Sequence, residues 1–310
     1  MRPYKISLQI NLSAGDLSLC RQLLERQIRF WYDELDEIVL SIESKKSFGK
    51  FATDFDRNQA GLLALVEHYG SLFSKVRHHF IDYSPERKAR LAALFFDGTL
   101  IPEKDYRGCA FYAYLDGLAN CRNRYIIHID SDMMIGGTPN AWLQDAVDLL
   151  NSDKSYLFVN PLAGPPAADN EIRQTYLRKA GSYRFLFDKM SSRVFLIDMD
   201  KLNENKLTLK KAPLTPRYIK WFFKSGYRWG YMALEDLFSE MMKRRGLLRI
   251  DSLGVNEKRA AYSLHPVVKP KLYIQAIPDL LRRMDSNDIP DSQRGNYNIN
   301  NDFFDFESAR

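Results

Sequence analysis

The chain is 310 residues long, with 45 Lys plus Arg, 39 Asp plus Glu, a formal charge of +6 and 45% apolar content. That length buries one large core or two modest ones, and the composition excludes a disordered, low-complexity or collagen-like chain. The basic clusters Lys210-Lys211, Lys243-Arg244-Arg245 and Arg282-Arg283 lie far apart, which argues against a dedicated nucleic-acid track.

Met1 to Lys5 leads into an alternating segment broken by Gln9 and Asn11, without the uninterrupted apolar core of a signal peptide. Apolar runs such as 38–40 and 62–66 are too short to span a bilayer. The expected setting is cytoplasmic, with peripheral membrane contact left open. Residues 4–11 alternate as a strand, 16–33 carry Leu19, Leu23, Leu24, Ile28 and Trp31 at helical spacing, and 37–43 return to strand. A helix over 56–69, a strand over 75–82 and a helix opening at Ser84-Pro85-Glu86 continue the alternation, the serine serving as cap ahead of proline. Cys20, Cys109 and Cys121 form no C-x-x-C pair and are too few for a disulfide framework, so they read as buried thiols of a reducing compartment.

A helix over 109–120 feeds a strand over 125–130. Beyond Gly136-Gly137 the pattern gives a helix over 139–150 and a strand over 156–160 ended by the proline-rich loop 161–166. A strand over 193–198, a helix over 216–224 and a helix over 234–245 stopped by Gly246 follow. Such alternation predicts an α/β fold, a mostly parallel sheet flanked by helices. After Asp285 the chain is rich in Asn, Asp, Ser and Gln, with Tyr297, Phe303, Phe304 and Phe306 to pack. It reads as an extension that wraps the domain or stays partly disordered.

Chemistry concentrates at Tyr125-Ile126-Ile127-His128-Ile129-Asp130-Ser131-Asp132. The apolar half suits a strand buried on both faces, and open α/β sheets bind ligands at the carboxyl ends of such strands. Side chains two apart in an extended chain share a side, so Asp130 and Asp132 can face one ligand. Paired carboxylates are hard oxygen donors for Mn2+ or Mg2+. The bland alternative is that Asp130 caps the next loop and Asp132 is solvated.

In order along the chain, these pieces resemble the GT-A glycosyltransferases, especially the inverting family 2. The matching parts are the early strand, a strand ending in acid at Ile42-Glu43, a glycine-led helix from Arg107-Gly108 through Asp116-Gly117, and the D-x-D. Well downstream, Gly230-Tyr231-Met232-Ala233-Leu234-Glu235-Asp236-Leu237-Phe238 resembles the family's E-D segment, which opens a helix ending at a glycine. The resemblance spans residues 4–265. It implies a Rossmann-like GT-A domain over 1–265 with a helical or irregular extension over 266–310.

The activity implied is a metal-dependent, inverting transfer of a sugar from a nucleotide-sugar, uridine-linked, to an acceptor hydroxyl. Saccharide, lipid-linked and small-molecule acceptors all fit a cleft floored by Trp221, Trp229 and Tyr231, and the oligomeric state stays open. By the same resemblance Asp130 contacts ribose or metal-bound water, with Ser131 beside it in the nucleotide-sugar site. Asp132 binds the Mn2+ or Mg2+ that bridges the diphosphate, and His265 adds a metal or diphosphate contact. Asn11 and Glu43 match the positions that hold base and ribose. Asp82 assists the base or simply enters a helix, and Arg107 is a diphosphate partner or a solvated surface cation. Inversion needs a base on the face opposite the leaving group, for which Asp236 is the first choice and Glu235 the second. Both lie in a first helical turn, where the dipole favours the anion, and complementing that dipole is their alternative role. The sequence departs from the family at Ile42-Glu43, where an Asp-Asp pair is usual, and at Tyr114-Leu115, where Arg-Asn is usual.

Two other readings stand beside this one: a nucleotidyltransferase of related fold, and a binding protein that keeps the fold without turnover. The first would show a glycine-rich basic signature near the amino terminus, which Leu12-Ser13-Ala14-Gly15-Asp16 does not supply. Phe95-Phe96-Asp97-Gly98-Thr99 resembles the D-x-D-G-T of aspartyl-nucleophile phosphatases but has phenylalanine where the nucleophile belongs.

Overall fold

The computed structural model describes residues 4–46, 54–98, 100–138, 142–213, 215–216, 219–220, 223, 230–254 and 260–308. The amino-terminal half alternates as expected: β1 (Ile6–Leu12), α1 (Leu17–Trp31), β2 (Glu37–Ile42), α2 (Phe55–Leu72) and β3 (Val76–Phe80). Then come α3 (Pro85–Phe95), α4 (Tyr112–Asn120) and β4 (Tyr125–Asp130). Helix α3 starts where its cap dictates, the Ser84 hydroxyl accepting the Arg87 N–H ahead of Pro85. The second half adds β5 (Met134–Gly137), α5 (Trp142–Ser152), β6 (Tyr156–Ala163), β7 (Arg178–Gly181), β8 (Arg184–Phe187), β9 (Val194–Asp198) and α6 (Met199–Glu204). It ends with α7 (Leu234–Arg245), β10 (Leu248–Ser252), β11 (Ala261–Leu264) and α8 (Lys271–Asp285). Gly246 stops α7 in the left-handed conformation at φ 68°, as its sequence position predicts. The helix expected over 216–224 falls mostly outside the described residues, as do Trp221 and Trp229.

Among the described residues the strands form one mixed sheet with the path β3-β2-β1-β4-β9-β6-β10-β8-β7, and β11 pairs with both β6 and β5. The pairings from β3 to β4 are all parallel, as expected. The helix-flanked α/β sheet is as expected, and beyond β4 it becomes mixed: β9 is antiparallel to both β4 and β6, and β8 to both β10 and β7. Even so, β1, β2, β4, β6 and β10 all point the same way, so their carboxyl ends share one edge. The start of β9 reaches that edge from the other direction.

Strand β6 also runs past its expected end at Asn160. Proline is tolerated there because β9 pairs only as far as Val159 and β11 takes over at Leu162, so Pro161 sits where one neighbour gives way to the next.

One face of the sheet packs Leu8, Ile10, Ile38, Leu40, Ile127 and Leu196 against α1, α2 and α5. The opposite face packs Ile126, Phe158, Phe195 and Ile197 against α3, α4 and α7. A third cluster joins α8 to α1, β5 and β11, and buries Ile299, Phe303 and Phe306 of the carboxyl-terminal segment. Arg26 of α1 closes that junction with two bonds to Asp285, at 2.6 and 3.0 Å. The three cysteines form no disulfide; Cys20 is buried, whereas Cys109 and Cys121 are only partly so. No helix among the described residues is long and apolar enough to cross a membrane.

Helix α4 approaches the sheet unusually closely. A Cβ on Gly117 would stand 2.5 Å from Gln9 Nε2 and 2.9 Å from Ser41 Oγ, both in a packed polar interior. Gly117→Ala is therefore expected to destabilise the protein by about 1–3 kcal/mol through overpacking, read from urea unfolding. Gly70→Ala in α2, where an added Cβ meets nothing within 4 Å, is expected to be neutral or stabilising by up to about 1 kcal/mol.

Candidate active site

Strand β4 delivers Asp130 to the carboxyl edge, and the turn after it carries Ser131 and Asp132. That turn is pinned from α1: the buried Gln27 amide donates to the carbonyls of Asp130 (3.0 Å) and Met133 (2.8 Å). Ser131 is buried and turned toward the Cys20 thiol. Asp130 Oδ1 accepts the Tyr114 hydroxyl at 2.5 Å and faces His128 Nε2 at 3.2 Å. Tyr114, which stands where the sequence resemblance leads one to expect Arg-Asn, thus binds the first acid of the D-x-D. Burial and the neighbouring Asp130 hold the Tyr114 phenol well above its ordinary range, so it stays a donor.

Asp132 is 5% exposed and lies among cations. Lys269 contacts its Oδ2, Arg193 Nη1 lies at 3.5 Å and His265 Nε2 at 3.7 Å. Its other oxygen, Oδ1, is buried with no hydrogen-bond partner. Burial pushes the carboxyl up, but the His265 imidazole, Lys269 and Arg193 together outweigh it and hold Asp132 well below the usual carboxylate range. His265 is fixed in turn by stacking on Tyr297 (5.9 Å, 14°) and by backbone bonds to Tyr297 and Ile299. Asp132 and His265 are thus brought together, and Arg193 Nη1, 3.9 Å from Asp130 Oδ2 and 3.5 Å from Asp132 Oδ2, links Asp130 to them.

Arg193, Lys269 and Asp16 belong to the same cluster and escape a motif reading. Arg193 stands one residue before β9, and its carbonyl accepts the Asp130 N–H at 2.7 Å. Strand direction, which periodicity does not reveal, is what brings it there. Lys269 lies in the non-helical stretch between His265 and Lys271, where no periodicity marks it. Asp16 follows β1 in a short 3-10 turn. Burial and the charges of Asp132 and Asp130 push its carboxyl up to about 6, against the pull of Lys269.

The other expected residues scatter along the edge. Asn11 is opposite Asp130 in the β1–β4 register; its Oδ1 accepts from Gln9 while its Nδ2 is buried without a partner. Glu43 is engaged internally, by Lys104 (2.8 Å), the Tyr83 hydroxyl (2.8 Å) and the Lys45 N–H (2.9 Å). Asp82 is exposed and accepts the Ser84 N–H at 2.8 Å, the helix-entry arrangement. Arg107 pairs with Asp105 through Nε (2.9 Å) and Nη2 (2.7 Å).

Glu235 and Asp236 occupy the first turn of α7. Burial pushes the Glu235 carboxyl up, against the opposing pull of Arg107, Arg193 and Arg249. Glu235 therefore lies within electrostatic reach of the cation that also faces Asp130 and Asp132. A larger cavity of about 400 Å3 opens elsewhere on α7, between Lys210, Met241, Lys243 and Arg244, and includes none of Asp130, Asp132 or Glu235.

No family model and no curated protein matches the sequence. Among solved structures, the chain is similar to a mannosyltransferase from Pyrobaculum calidifontis in complex with GDP-Man and Mn2+, at 12% identity and a TM-score of 0.36. That match covers 64% of this chain but only 45% of the mannosyltransferase. It is also similar to 4-diphosphocytidyl-2C-methyl-D-erythritol synthase from Anaerococcus prevotii, at 12% identity and TM-score 0.37, over 90% of this chain and 99% of that one. Glucosyl-3-phosphoglycerate synthase from Mycobacterium tuberculosis, in complex with Mn2+, UDP and phosphoglyceric acid, matches at 14% identity and TM-score 0.29, over 51% and 43% of the two chains.

Asp16 makes a pH prediction. An acid whose folded-state pKa is raised binds its proton more readily folded than unfolded. Its penalty is thus absent below the ordinary value of 3.8, grows as pH rises to about 6 and is constant above. Asp16→Asn should stabilise the protein at pH 7.5 by on the order of 1–2 kcal/mol, after discounting for its partial exposure, and by almost nothing at pH 4. Urea unfolding of both proteins at the two pH values checks this.

Proposed function

We propose that the protein is a GT-A glycosyltransferase that moves a sugar from a nucleotide-sugar to an acceptor hydroxyl with inversion. The observation that carries this reading is the Asp132 carboxylate, buried, ionised and surrounded by Lys269, Arg193 and His265 at the carboxyl edge of the sheet. Such a concentration of cations around one acid suits an anionic diphosphate, whose charge grows as it leaves.

The residues also fit a divalent cation. Asp132 Oδ1 is an orphaned, buried oxygen, and His265 supplies an imidazole 3.7 Å from the other oxygen of the same carboxylate. Lys269, touching Oδ2, marks the position as one that attracts positive charge. Among the described residues, no three His, Cys, Asp or Glu side chains form a finished metal group. Asp132 and His265 would therefore hold Mn2+ or Mg2+ jointly with phosphate oxygens of the donor, as such ions often bind. Bound there, the ion would neutralise part of the diphosphate charge.

The remaining roles belong to the chain. Asn11 Nδ2, at the end of β1, offers an unused donor to the nucleoside. Arg193 and Lys269 neutralise the departing diphosphate. Glu235 is the stronger choice of base: its raised carboxyl pKa makes it a better proton acceptor at neutral pH than an ordinary acid. It takes the acceptor hydroxyl proton as the new glycosidic bond forms, and the electron pair of the broken bond leaves with the diphosphate. Asp236, next in the same turn, helps raise the Glu235 pKa through its own charge. A uridine-linked donor and a soluble or membrane-peripheral setting are parts of the same proposal.

Nucleotide release should be measured over UDP-, GDP- and CDP-linked sugars with Mn2+ or Mg2+. Turnover of at least one donor is expected, together with its loss by more than a hundredfold in Asp132→Ala. Turnover of a nucleoside triphosphate with a sugar phosphate instead would show the nucleotidyltransferase. Glu235→Gln should lower kcat by about 10²–10⁴-fold while leaving UDP affinity intact, and a larger loss in Asp236→Asn would reverse the assignment. Calorimetry should find Mn2+ binding weak alone and tight with UDP. Lys269→Ala should strengthen the first and weaken UDP binding.

A further inference from the structure

Beside the Asp132 cluster lies a small cavity of about 20 Å3, lined by Asn160 and Pro161 of β6, Arg249 and Asp251 of β10, Ser263 of β11, and Tyr297. That volume admits about one water or one hydroxyl. Its chemistry is unusual for a gap between strands. Asn160 is 4% exposed, and its Oδ1 is buried with no hydrogen-bond partner. Arg249 and Asp251 are equally buried and neutralise each other, with Arg249 Nε 2.7 Å and Nη2 3.2 Å from the carboxylate. Nη1 donates to the Lys189 carbonyl at 3.0 Å, and the guanidinium lies 3.9 Å from the Phe187 ring centroid. Three of the five guanidinium N–H groups are thus engaged by protein partners and the Arg249–Asp251 pair carries no net charge, so the cavity, which Gln174 and Ser191 also line, is polar but neutral. A neutral polar lining around about one water's volume suits a hydroxyl better than a phosphate or carboxylate, and the hydroxyl finds in Asn160 Oδ1 an acceptor already desolvated.

The position of the cavity is as telling as its lining. Tyr297 forms one wall and stacks on His265, which stands 3.7 Å from Asp132. Val194, another wall, directly follows Arg193. Arg193 and Arg249 both pull electrostatically on Glu235. The cavity therefore adjoins the Asp132 cluster through Tyr297 and Val194, one strand beyond Arg193, where the sugar of the proposed nucleotide-sugar would lie.

We propose that this cavity receives one hydroxyl of the saccharide handled at the site, with Asn160 Oδ1 as its acceptor, and so acts as a specificity determinant. The proposal rests on the nucleotide-sugar reading above. The hydroxyl can come from the donor sugar or from the acceptor, and the two sources separate experimentally.

The test compares wild type, Asn160→Leu and the gentler Ser263→Ala, each first checked for cooperative thermal unfolding. Calorimetry with Mn2+ measures UDP, UDP- and GDP-linked hexoses, and deoxy analogues of the best donor. If the donor supplies the hydroxyl, UDP should bind all three proteins within about twofold. Asn160→Leu should then bind the full donor roughly tenfold more weakly, and it should no longer distinguish one deoxy analogue that wild type rejects. If the acceptor supplies it, donor binding and hydrolysis should be unchanged, while KM for glucose, galactose or mannose tested as acceptors rises about tenfold. Ser263→Ala should shift the same quantity in the same direction by a smaller factor. Unchanged values for every donor, analogue and monosaccharide in both variants would overturn the proposal and leave the nucleotide-sugar reading standing. Failure of wild type to bind any nucleotide or nucleotide-sugar would instead overturn that reading, and the cavity assignment with it.

Discussion

The site depends on a strip of polar side chains buried between β1, β2, β4 and α4. Its members alternate along the strands on the face turned to α4: Ser7, Gln9 and Asn11 on β1, Glu37 and Ser41 on β2, His128 and Asp130 on β4. Ser7 donates to Glu37 at 2.7 Å, and the Gln9 amide nitrogen to Asn11 (2.7 Å) and Ser41 (2.9 Å). With its nitrogen engaged twice, Gln9 offers its oxygen to His128 Nδ1, which turns Nε2 toward Asp130. Each of these bonds, left unmade, would cost about 1–3 kcal/mol, so the strip holds its members in place, with Asn11 Nδ2 left unpaired. The network at Oδ1, from Tyr114 and His128, fixes the rotamer of Asp130, the first acid of the motif. It also requires α4 to lie flat on the strip, which Gly117 allows and a larger residue would prevent.

Asp132 is held by a different balance. Removal of a carboxylate from water disfavours its charge, and here several cations outweigh that penalty without any of them being a dedicated partner. Lys269 and Arg193 are each about a third exposed, so their charges remain available to a ligand arriving from solvent. A dedicated bidentate Arg pair, such as the one joining Arg249 to Asp251, would have sealed the acid. The contrast separates an acid kept ready for exchange from one used to build a wall.

Much of this was legible in the sequence, for definite reasons. Elements with strong periodicity and clear ends appear where expected, α3 behind its serine cap and α7 before Gly246. The D-x-D was visible because an apolar strand ending in two acids has few structural uses. What stayed hidden depends on direction and partnership. The hairpin of β7 and β8, and the short β5 and β11, gain their structure from pairing rather than from their own pattern. Helix α8 contains Pro278, a residue that normally ends a helix, and its burial against α1 overrides that signal. Gln9 and Asn11, which break the apolar alternation of β1, were the trace of the polar strip, legible only once their partners on β2 and β4 are known.

Strand direction then orders the edge. Stepping across it, the residues met are Glu43 after β2, Asn11 on β1, Asp130 on β4, Arg193 before β9, Asn160 on β6 and Asp251 on β10. Neighbouring strands are about 4.8 Å apart, so from Asn11 to Asn160, three strands on, is roughly 14 Å. A nucleotide-sugar laid along such an edge would meet its groups in bonded sequence: nucleoside near β1, diphosphate between β4 and β9, sugar near β6. The antiparallel β9 is the element that makes this possible. A parallel strand there would have brought its carboxyl end, Asp198, to the edge between the acids and the cavity, adding like charge where the proposed diphosphate would lie. Its reversal puts Arg193 there instead, which is why one strand of contrary direction is worth keeping in a sheet whose other site-bearing strands agree.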